Sequence, residues 1–453
     1  MELFGTDGIR GEVGKYPLTR EAIFVLGEAL GLWLKERYPE SVEPLKIVVG
    51  KDTRDSGNEL ELALLNGAGR EDIEAIRVGI CPTPCVAYLT MALQAQLGIA
   101  ISASHNPGSD NGIKFFNADG YKLFPFAEKQ IEEIFNRIRL SERMYDFDIN
   151  NLGEERTKLI SLYSDFAKNS LEGERLTGLK IVLDCAFGSF SRIVPRIFQD
   201  LGAEVYVLNN EPDGKNINVD CGTLFPQTVA KAVLRYNADI GIAFDGDGDR
   251  VILADEKGDI LDGDQILAVL VRYYLEQKKL SRNVVVCTQM SNLGLELWLN
   301  QLGIQMVRAD VGDKYVLQQM LENRANLGGE QSGHIILLGQ TTTGDGLIAA
   351  LELIKVMRKR QKKLSQLKEN LQKFPQLLVN VKVIEKKPLE HIPKLSQAIE
   401  QAREKLGPSN RIFIRYSGTE NLARVMVEGM EQDSVYHTAH SLAQVIGEAV
   451  GVK

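Results

Sequence analysis

Cysteine is scarce in this sequence: five residues among 453, at Cys81, Cys85, Cys185, Cys221 and Cys287, with no CxxC pair. An odd, widely spaced set excludes a disulfide framework and offers no zinc or thiol-redox signature, so buried thiols in a reducing compartment are expected. No run of about 18 apolar residues occurs, which leaves no candidate transmembrane helix. The opening MELFGTDGIRG has no basic stretch followed by an apolar one, so no secretory signal is expected and the expected location is the cytoplasm. Neither G-x-x-x-x-G-K-[ST] nor G-x-S-x-G appears, which removes the P-loop nucleotide site and the hydrolase elbow. Cations are outnumbered 53 to 61, for a net charge of −8. That balance argues against a nucleic-acid partner, although local Arg and Lys clusters can still meet an anionic substrate.

The chain is long enough for two to four domains of roughly 100–200 residues, each with its own core. Short β-branched runs begin at Lys46, Leu97, Lys180, Asp239 and Val284. They alternate with amphipathic stretches at 21–36, 128–138 and 264–278, a pattern of α/β domains with largely buried strands. Three apolar runs end in polar, glycine-rich loops at 102–112, 245–250 and 329–334, and α/β folds place ligands at the carboxyl ends of strands. The end of the chain reads differently. A Lys-rich helix is expected over 351–373, broken at Phe374-Pro375. Strands follow at 377–384 and 411–415, with helices near 395–406 and 434–449, which make a small α+β domain. The basic stretch 355–363 is expected to be the solvated face of that linking helix.

Four constellations carry chemistry. SASHNP (102–107), followed by DNGIK (110–114), sets Ser104 in a loop after an apolar strand. Without the hydrolase elbow, Ser104 suits phosphoryl carriage better than acyl transfer; an ordinary turn is the bland alternative. DGDGDR (245–250) places Asp245, Asp247 and Asp249 at alternating positions, where three carboxylates repel and need a cation. Oxygen-only ligands point to Mg²⁺. A calcium-binding EF-hand competes, with Glu256 at its twelfth position, but Arg250 sits where that loop needs Gly and the following VILA reads as a strand; a metal-free acidic turn is the third reading. GGEQSGH (328–334) offers Glu330 and Ser332 to one side of an extended loop, which suits paired sugar hydroxyls, and His334 can move a proton near neutrality. RYSGTEN (415–421) with Arg424 collects Arg side chains, hydroxyls and backbone N–H groups around a Gly, as a phosphate cradle does. Smaller signals, FGTDGIRG (4–11) and GKDTR (50–54), read as turns that also bring cations near a phosphoryl group.

Taken in order, FGTDGIRG, SASHNP, DGDGDR, GEQSGH and RYSGTE resemble the α-D-phosphohexomutase superfamily over nearly the whole chain. MSNLG (290–294), VGDKYV (311–316), TTGDG (342–346) and RVMVEG (424–429) are similar to the branch that works on glucosamine phosphates; the branch acting on glucose and mannose phosphates is the alternative. The resemblance implies three α/β domains with mixed sheets plus a smaller α+β C-terminal domain around a central cleft. The expected divisions are 1–154, bearing a phosphoserine; 155–256, binding the metal; 257–369, recognising the sugar; and 370–453, binding phosphate.

The resemblance also implies roles. Ser104 would be the phosphoserine, and its phosphate with Asp245, Asp247 and Asp249 would hold Mg²⁺. Glu330 and Ser332 would hold sugar hydroxyls, while Arg415, Ser417, Gly418, Thr419 and Arg424 would grip the distal phosphate. Arg10, Lys114 and His334 would serve proton transfer and charge stabilisation, with Arg250 neutralising transition-state charge. A sugar 1,6-bisphosphate would be intermediate and activator, and a homodimer is compatible with the relatives. This sequence departs from the family pattern at several places. Lys51 and Lys314 stand for the usual Arg, which weakens any two-pronged phosphate contact. Phe187 stands for Asn, and Tyr416 and Asn421 for Pro. A phosphosugar-binding protein without turnover and a metal-dependent phosphatase are the readings from other classes.

Overall fold

The computed structural model describes residues 3–5, 7–140, 145, 147–148, 152–368, 371–392, 394–417 and 421–451. It divides into two compact units: Met1–Val286 with Gly312–Glu369, and Cys287–Val311 with Asn370–Lys453.

The first unit opens with β1 (Ile9–Glu12), α1 (Arg20–Arg37), β2 (Lys46–Lys51), α2 (Gly57–Gly69), β3 (Glu74–Ile80), α3 (Thr83–Ala92), β4 (Leu97–Ile101), β5 (Asp110–Asn117) and α4 (Pro125–Ile138). Their sheet runs β1-β5-β4-β2-β3. β2 lies parallel to β3 and β4, whereas β5 is antiparallel to β4 and β1. β4, LGIAI, is buried at every position, the unbroken apolar run of a strand covered on both faces. Helix α1 starts where the Thr19 side chain accepts from the Ala22 N–H, with Glu21 in its first turn and Lys35 and Arg37 in its last, all favourable to the helix dipole.

A second region repeats the plan: α5 (Ile160–Asn169), β6 (Lys180–Asp184), α6 (Val194–Asp200), β7 (Glu204–Leu208), α7 (Gln227–Tyr236), β8 (Ile240–Phe244), β9 (Val251–Asp255) and β10 (Ile260–Leu261). Its sheet order, β10-β9-β8-β6-β7, matches the first position for position. In each, a central buried strand leaves through a polar loop and returns as an antiparallel neighbour: β4 through 102–109 into β5, and β8 through 245–250 into β9. The serine loop and the triple-aspartate loop are therefore the same topological feature used twice.

The third α/β region holds α8 (Gly263–Glu276), β11 (Val284–Thr288), α9 (Leu293–Gln301), β12 (Gln305–Ala309), α10 (Asp313–Asn323), β13 (Leu327–Gly329), β14 (Ile335–Leu337), α11 (Gly346–Arg360) and α12 (Leu364–Leu367). Asp262 and Gln265 close a capping box on α8. β13 and β14 pair antiparallel, and the loop 330–334 between them carries the GEQSGH residues. The C-terminal part is α+β: β15 (Gln376–Lys382), α13 (Leu395–Leu406), β16 (Arg411–Tyr416), β17 (Leu422–Glu428) and α14 (Gln432–Val450), with the sheet order β15-β17-β16 wholly antiparallel.

The Lys-rich helix departs from expectation. It begins at Gly346, where Asp345 accepts from the Ile348 N–H, and ends at Arg360 because Gln361 turns left-handed at φ 51°. The break lies well before Phe374-Pro375. Nor is its basic stretch wholly a solvated face. Lys355 is buried, its Nζ 2.7 Å from the buried Glu352 and 3.1 Å from the Ser170 carbonyl. All five cysteines are buried and stand outside any disulfide. Among the described residues, no helix is long and apolar enough to cross a membrane.

Candidate active site

The two equivalent loops of the first unit meet. Ser104 is fully buried and holds φ 52°, a left-handed conformation that ordinary residues avoid. Its Oγ donates to Asp245 Oδ2 at 2.6 Å and lies 3.5 Å from Asp249 Oδ1 and 3.4 Å from His105 Nδ1. The approach depends on Gly246, where a Cβ would come within 2.7 Å of the Ser104 carbonyl oxygen. The loop's far side is gripped by α11: the Gly346 N–H donates to the Gly248 carbonyl at 3.0 Å.

Asp245, Asp247 and Asp249 are all buried, and one oxygen from each lies within 4.8 Å of the others. Asp245 Oδ1 accepts from the Arg250 N–H. Asp247 Oδ2 accepts from Thr83 Oγ1 at 2.5 Å and Lys114 Nζ at 2.7 Å, while its Oδ1 is buried with no hydrogen-bond partner. Burial, and then the charges of Asp249 and Asp247, push the Asp245 carboxyl well above the usual carboxylate range. An orphaned buried oxygen beside a carboxylate crowded by its neighbours is what a hard, oxygen-seeking cation relieves. The donor set of Asp245, Asp247 and Asp249 therefore fits a divalent metal. The strand after the loop is β9, as VILA suggests and as an EF-hand would not allow.

Lys114, on β5, sits with Nζ 2.7 Å from both Asp247 and Asp249 and 3.7 Å from Asp7. Burial works against its charge, but those carboxylates hold it well above the ordinary lysine value. Asp249 is the mirror case: burial opposes its charge, and Lys114, His334 and Arg250 together hold it well below the ordinary range. His334 is buried, with Nδ1 3.7 Å from Asp249 Oδ1 and Nε2 3.7 Å from Asp313 Oδ2. Burial disfavours its cation, yet the bond to Asp249 and the charges of Asp249, Asp313 and Glu330 raise its pKa. Arg10 belongs to strand β1 rather than to a turn, paired opposite Gly112, and donates through Nη1 to the Ala103 carbonyl at 3.2 Å and to Asn106 Oδ1, and through Nη2 to Asp7. Arg250 Nε lies 3.8 Å from Asp249 Oδ1. The Arg250 charge, and then burial, push His105 down to about 3, so the imidazole beside Ser104 is neutral.

Glu330 Oε1 accepts from the Gly312 N–H at 3.2 Å, and its Oε2 accepts from Ser332 Oγ at 3.2 Å, so the carboxylate and the hydroxyl do face one another. Behind His334 the TTGDG turn leaves no slack: a Cβ on Gly344 would stand 2.3 Å from the ring atoms Cε1 and Nε2. Gly344→Ala is expected to push the ring off Asp249 and lower turnover by about tenfold, since small misplacements of reacting groups are costly. Steady-state kinetics beside a circular-dichroism melt checks this; parental turnover would show the ring position to be unimportant.

In the second unit, Arg415 on β16 and Arg424 on β17 are direct cross-strand partners. Like charges so placed repel. Burial and Arg424 lower the Arg415 pKa, partly offset by Asp310. An oxyanion would relieve that repulsion. Ser417 is buried; its N–H donates to the Leu422 carbonyl at 2.8 Å, and its carbonyl accepts from Lys386 Nζ at 2.8 Å. Gly418 and Thr419 lie outside the described residues. Asn421 accepts from the Val383 N–H through its carbonyl, and the Tyr416 hydroxyl is buried without a hydrogen-bond partner.

Several cations are not where the sequence suggests. Lys51 Nζ is spent on Glu61 at 2.5 Å and Glu155 at 2.8 Å, far better matched to carboxylates than to a phosphoryl group. Arg54, expected beside a phosphoryl group, has every N–H committed to Asp52 and loop carbonyls. Lys314 Nζ meets the Gly5 carbonyl and Glu128. Phe187 takes part through its backbone, its carbonyl accepting from Thr53 Oγ1 at 2.6 Å. Conversely, Lys122 bridges Asp7 and Asp313 just behind Lys114 and His334. Nothing in the sequence singles it out, because a lone Lys after a turn reads as surface; Thr83 and Asn218 were silent in the same way.

Comparison with known proteins agrees with this geometry. The three α/β/α domain models of phosphoglucomutase/phosphomannomutase match residues 1–142, 161–258 and 262–374, and the C-terminal domain model matches 378–445. The phosphoglucosamine mutases of Syntrophus aciditrophicus and Chlamydia caviae are each 44% identical to the chain over 99% of its length, covering 100% and 98% of their own. Among solved structures, a phosphoglucomutase/phosphomannomutase family protein from Burkholderia thailandensis superposes with a TM-score of 0.77 at 20% identity, over 100% of this chain and 99% of that one. With four domain models matched in order and that identity sustained from end to end, the chain belongs to the phosphohexomutase family, alongside the phosphoglucosamine mutases.

Proposed function

We propose that this protein interconverts glucosamine 6-phosphate and glucosamine 1-phosphate, with Ser104 as the phosphoryl carrier and a sugar 1,6-bisphosphate as the intermediate. The observation that carries the reading is the 2.6 Å contact between Ser104 Oγ and Asp245 inside the triple-carboxylate turn. The end-to-end likeness to phosphoglucosamine mutases supports the amino-sugar substrate.

In the proposed reaction, the free hydroxyl of a sugar monophosphate attacks the phosphorus carried on Ser104. The new P–O bond forms as the P–Oγ bond breaks, Oγ departs with the bonding electrons, and a general base, Lys114 or His334, takes the hydroxyl proton. The other of the two, in the protonated form towards which the neighbouring carboxylates hold both, gives its proton to the departing oxygen, and the roles reverse in the return half-reaction. Arg10 and Arg250 meet charge on the equatorial oxygens. Mg²⁺, held by Asp245, Asp247, Asp249 and Ser104, would supply electrostatic neutralisation of the transferring group. Glu330 and Ser332 orient the sugar through its hydroxyls. Arg415, Ser417, Gly418, Thr419 and Arg424 bind the phosphate that is not transferred. The bisphosphate then turns end for end, and the second half-reaction returns a phosphoryl group to Ser104. The domains take these roles over 1–154, 155–256, 257–369 and 370–453. The enzyme works in the cytoplasm, as a monomer or homodimer, with no nucleic-acid partner.

The test is a coupled assay with Mg²⁺ and a trace of the 1,6-bisphosphate, run side by side on glucosamine, glucose and mannose phosphates. Preference for the glucosamine phosphates is the expected result. Preference for glucose or mannose phosphates moves the protein to the neutral-hexose branch, and release of inorganic phosphate without isomer formation makes it a phosphatase.

A further inference from the structure

The serine loop is shaped by a side chain that phosphoryl transfer itself does not use. Arg54, in the turn after β2, has a side chain with no exposed surface. Its five N–H groups are all engaged. Nε donates to Asp52 Oδ2 at 3.0 Å, Nη1 to the carbonyls of Asp110 at 3.0 Å and of Pro107, and Nη2 to the carbonyls of Ser104 at 3.1 Å and Asn106 at 2.8 Å. Four of the five acceptors are main-chain oxygens of residues 104–110.

Asp52 closes the circuit. It accepts from the Arg54 N–H at 3.0 Å and from Ser102 Oγ, and Ser102 Oγ accepts in turn from the Ser104 N–H at 2.9 Å. A second donor, Asn218 Nδ2, reaches the Ser104 carbonyl at 2.9 Å. Both backbone polar groups of Ser104 are thereby tied to one buried network. Such ties are needed, because a left-handed serine is disfavoured by roughly 1 kcal/mol or more and relaxes unless its surroundings over-determine it.

We propose that Arg54 is a positioning residue for phosphoryl transfer: its guanidinium pins the main chain around Ser104 so that Oγ stays within bonding distance of Asp245. The assignment rests on Ser104 being the phosphoryl carrier. With no N–H left over and no exposed surface, Arg54 has nothing to offer a substrate, so its loss acts on the chemical step and not on binding. A planar fork can serve five fixed acceptors at once, whereas an ammonium on a flexible stem has three donors and no fixed plane.

The experiment compares Arg54→Lys, Asn218→Ala and the parent protein in the glucosamine 6-phosphate assay, with a circular-dichroism melt on each. For Arg54→Lys, kcat is expected to fall by at least about tenfold while KM stays within about threefold, as expected when a reacting group is displaced without loss of binding contacts. A folded Arg54→Lys with parental kcat, or one whose loss lies in KM, overturns the assignment. Should Arg54→Lys fail to fold, Asn218→Ala decides, because it leaves the guanidinium in place and removes the second donor to the Ser104 carbonyl, an amide that also reaches the Asn106 carbonyl at 3.2 Å: the same kcat-only loss, smaller in size, supports the network, and parental kinetics overturn it. Ser104→Ala run in parallel separates the two readings. Turnover surviving in Ser104→Ala removes the carrier itself, whereas a dead Ser104→Ala beside a full-speed Arg54→Lys removes only the role given to Arg54.

Discussion

Ser104→Ala is expected to lose mutase turnover by roughly 10⁴-fold or more, the scale on which removal of a covalent nucleophile acts, with little change in affinity for glucosamine 6-phosphate. The reason is geometric. Ser104 Oγ faces Asp245, on the side of the carboxylate turn that Lys114 does not occupy. A second hydroxyl that bonds the carboxylate turn, Thr83 Oγ1, faces Asp247 Oδ2, the same oxygen that Lys114 holds. Thr83 therefore cannot replace Ser104 without displacing a buried ion pair. The sugar contacts proposed for Glu330 and Ser332 lie on a separate hairpin and are untouched by the substitution. Intact-mass measurement provides a second readout: the parent is expected to gain one phosphoryl group on incubation with the sugar bisphosphate, and the variant none. Near-parental turnover, or phosphoryl uptake by Ser104→Ala, would take the serine out of the reaction.

The same two loops show which parts of the structure are legible in a sequence. β4 and β8 are unbroken apolar runs that end abruptly in polar residues, so both strands and the loops after them can be placed from hydropathy alone. Asp245, Asp247 and Asp249 are equally plain, because no soluble core tolerates three adjacent buried carboxylates without a cation. Helix boundaries were harder. The stop of α11 at Gln361 is set by one left-handed residue that is not Gly, and its start by Asp345, whose capping role is hidden within TTGDG. Hardest were the cations. Lys51, Arg54, Lys114 and Lys355 are all buried among carboxylates or carbonyls. The charge of a side chain is visible in the sequence; its partner, 10 residues away for Lys51 and 133 for Lys114, is fixed only by the fold. Lys114 is legible because its motif adjoins Ser104. Lys122 lies 115 residues from Asp7 and 191 from Asp313, the two carboxylates it bridges, and has no such neighbour to announce it.

Asp247→Asn is expected to cut turnover by roughly 10²–10³, the usual effect of losing one preorganised electrostatic group at a reacting centre, and to abolish most of the thermal stabilisation that Mg²⁺ gives the parent. An amide has two orientations here, and both fail. With its oxygen towards Thr83 and Lys114, the NH₂ takes the place of Oδ1, the orphaned atom proposed to hold the metal, and a nitrogen already bearing two protons cannot ligate it. With the oxygen turned to that place, the NH₂ confronts the Lys114 ammonium, donor against donor. Metal-free stability reads the balance of two opposed changes, since losing one of three crowded carboxylates relieves the repulsion that pushes Asp245 upward but also breaks the buried pair with Lys114. The measurement is therefore a pair of melting curves, with and without Mg²⁺, beside the rate. For the parent, a metal bound at 100 times its Kd adds about 2.7 kcal/mol to folding stability; for Asp247→Asn that gain should shrink sharply at the same concentration. Equal stabilisation of both proteins by Mg²⁺, with an unchanged rate, would remove Asp247 from the metal site and leave Thr83 and Lys114 as the only reasons for its burial.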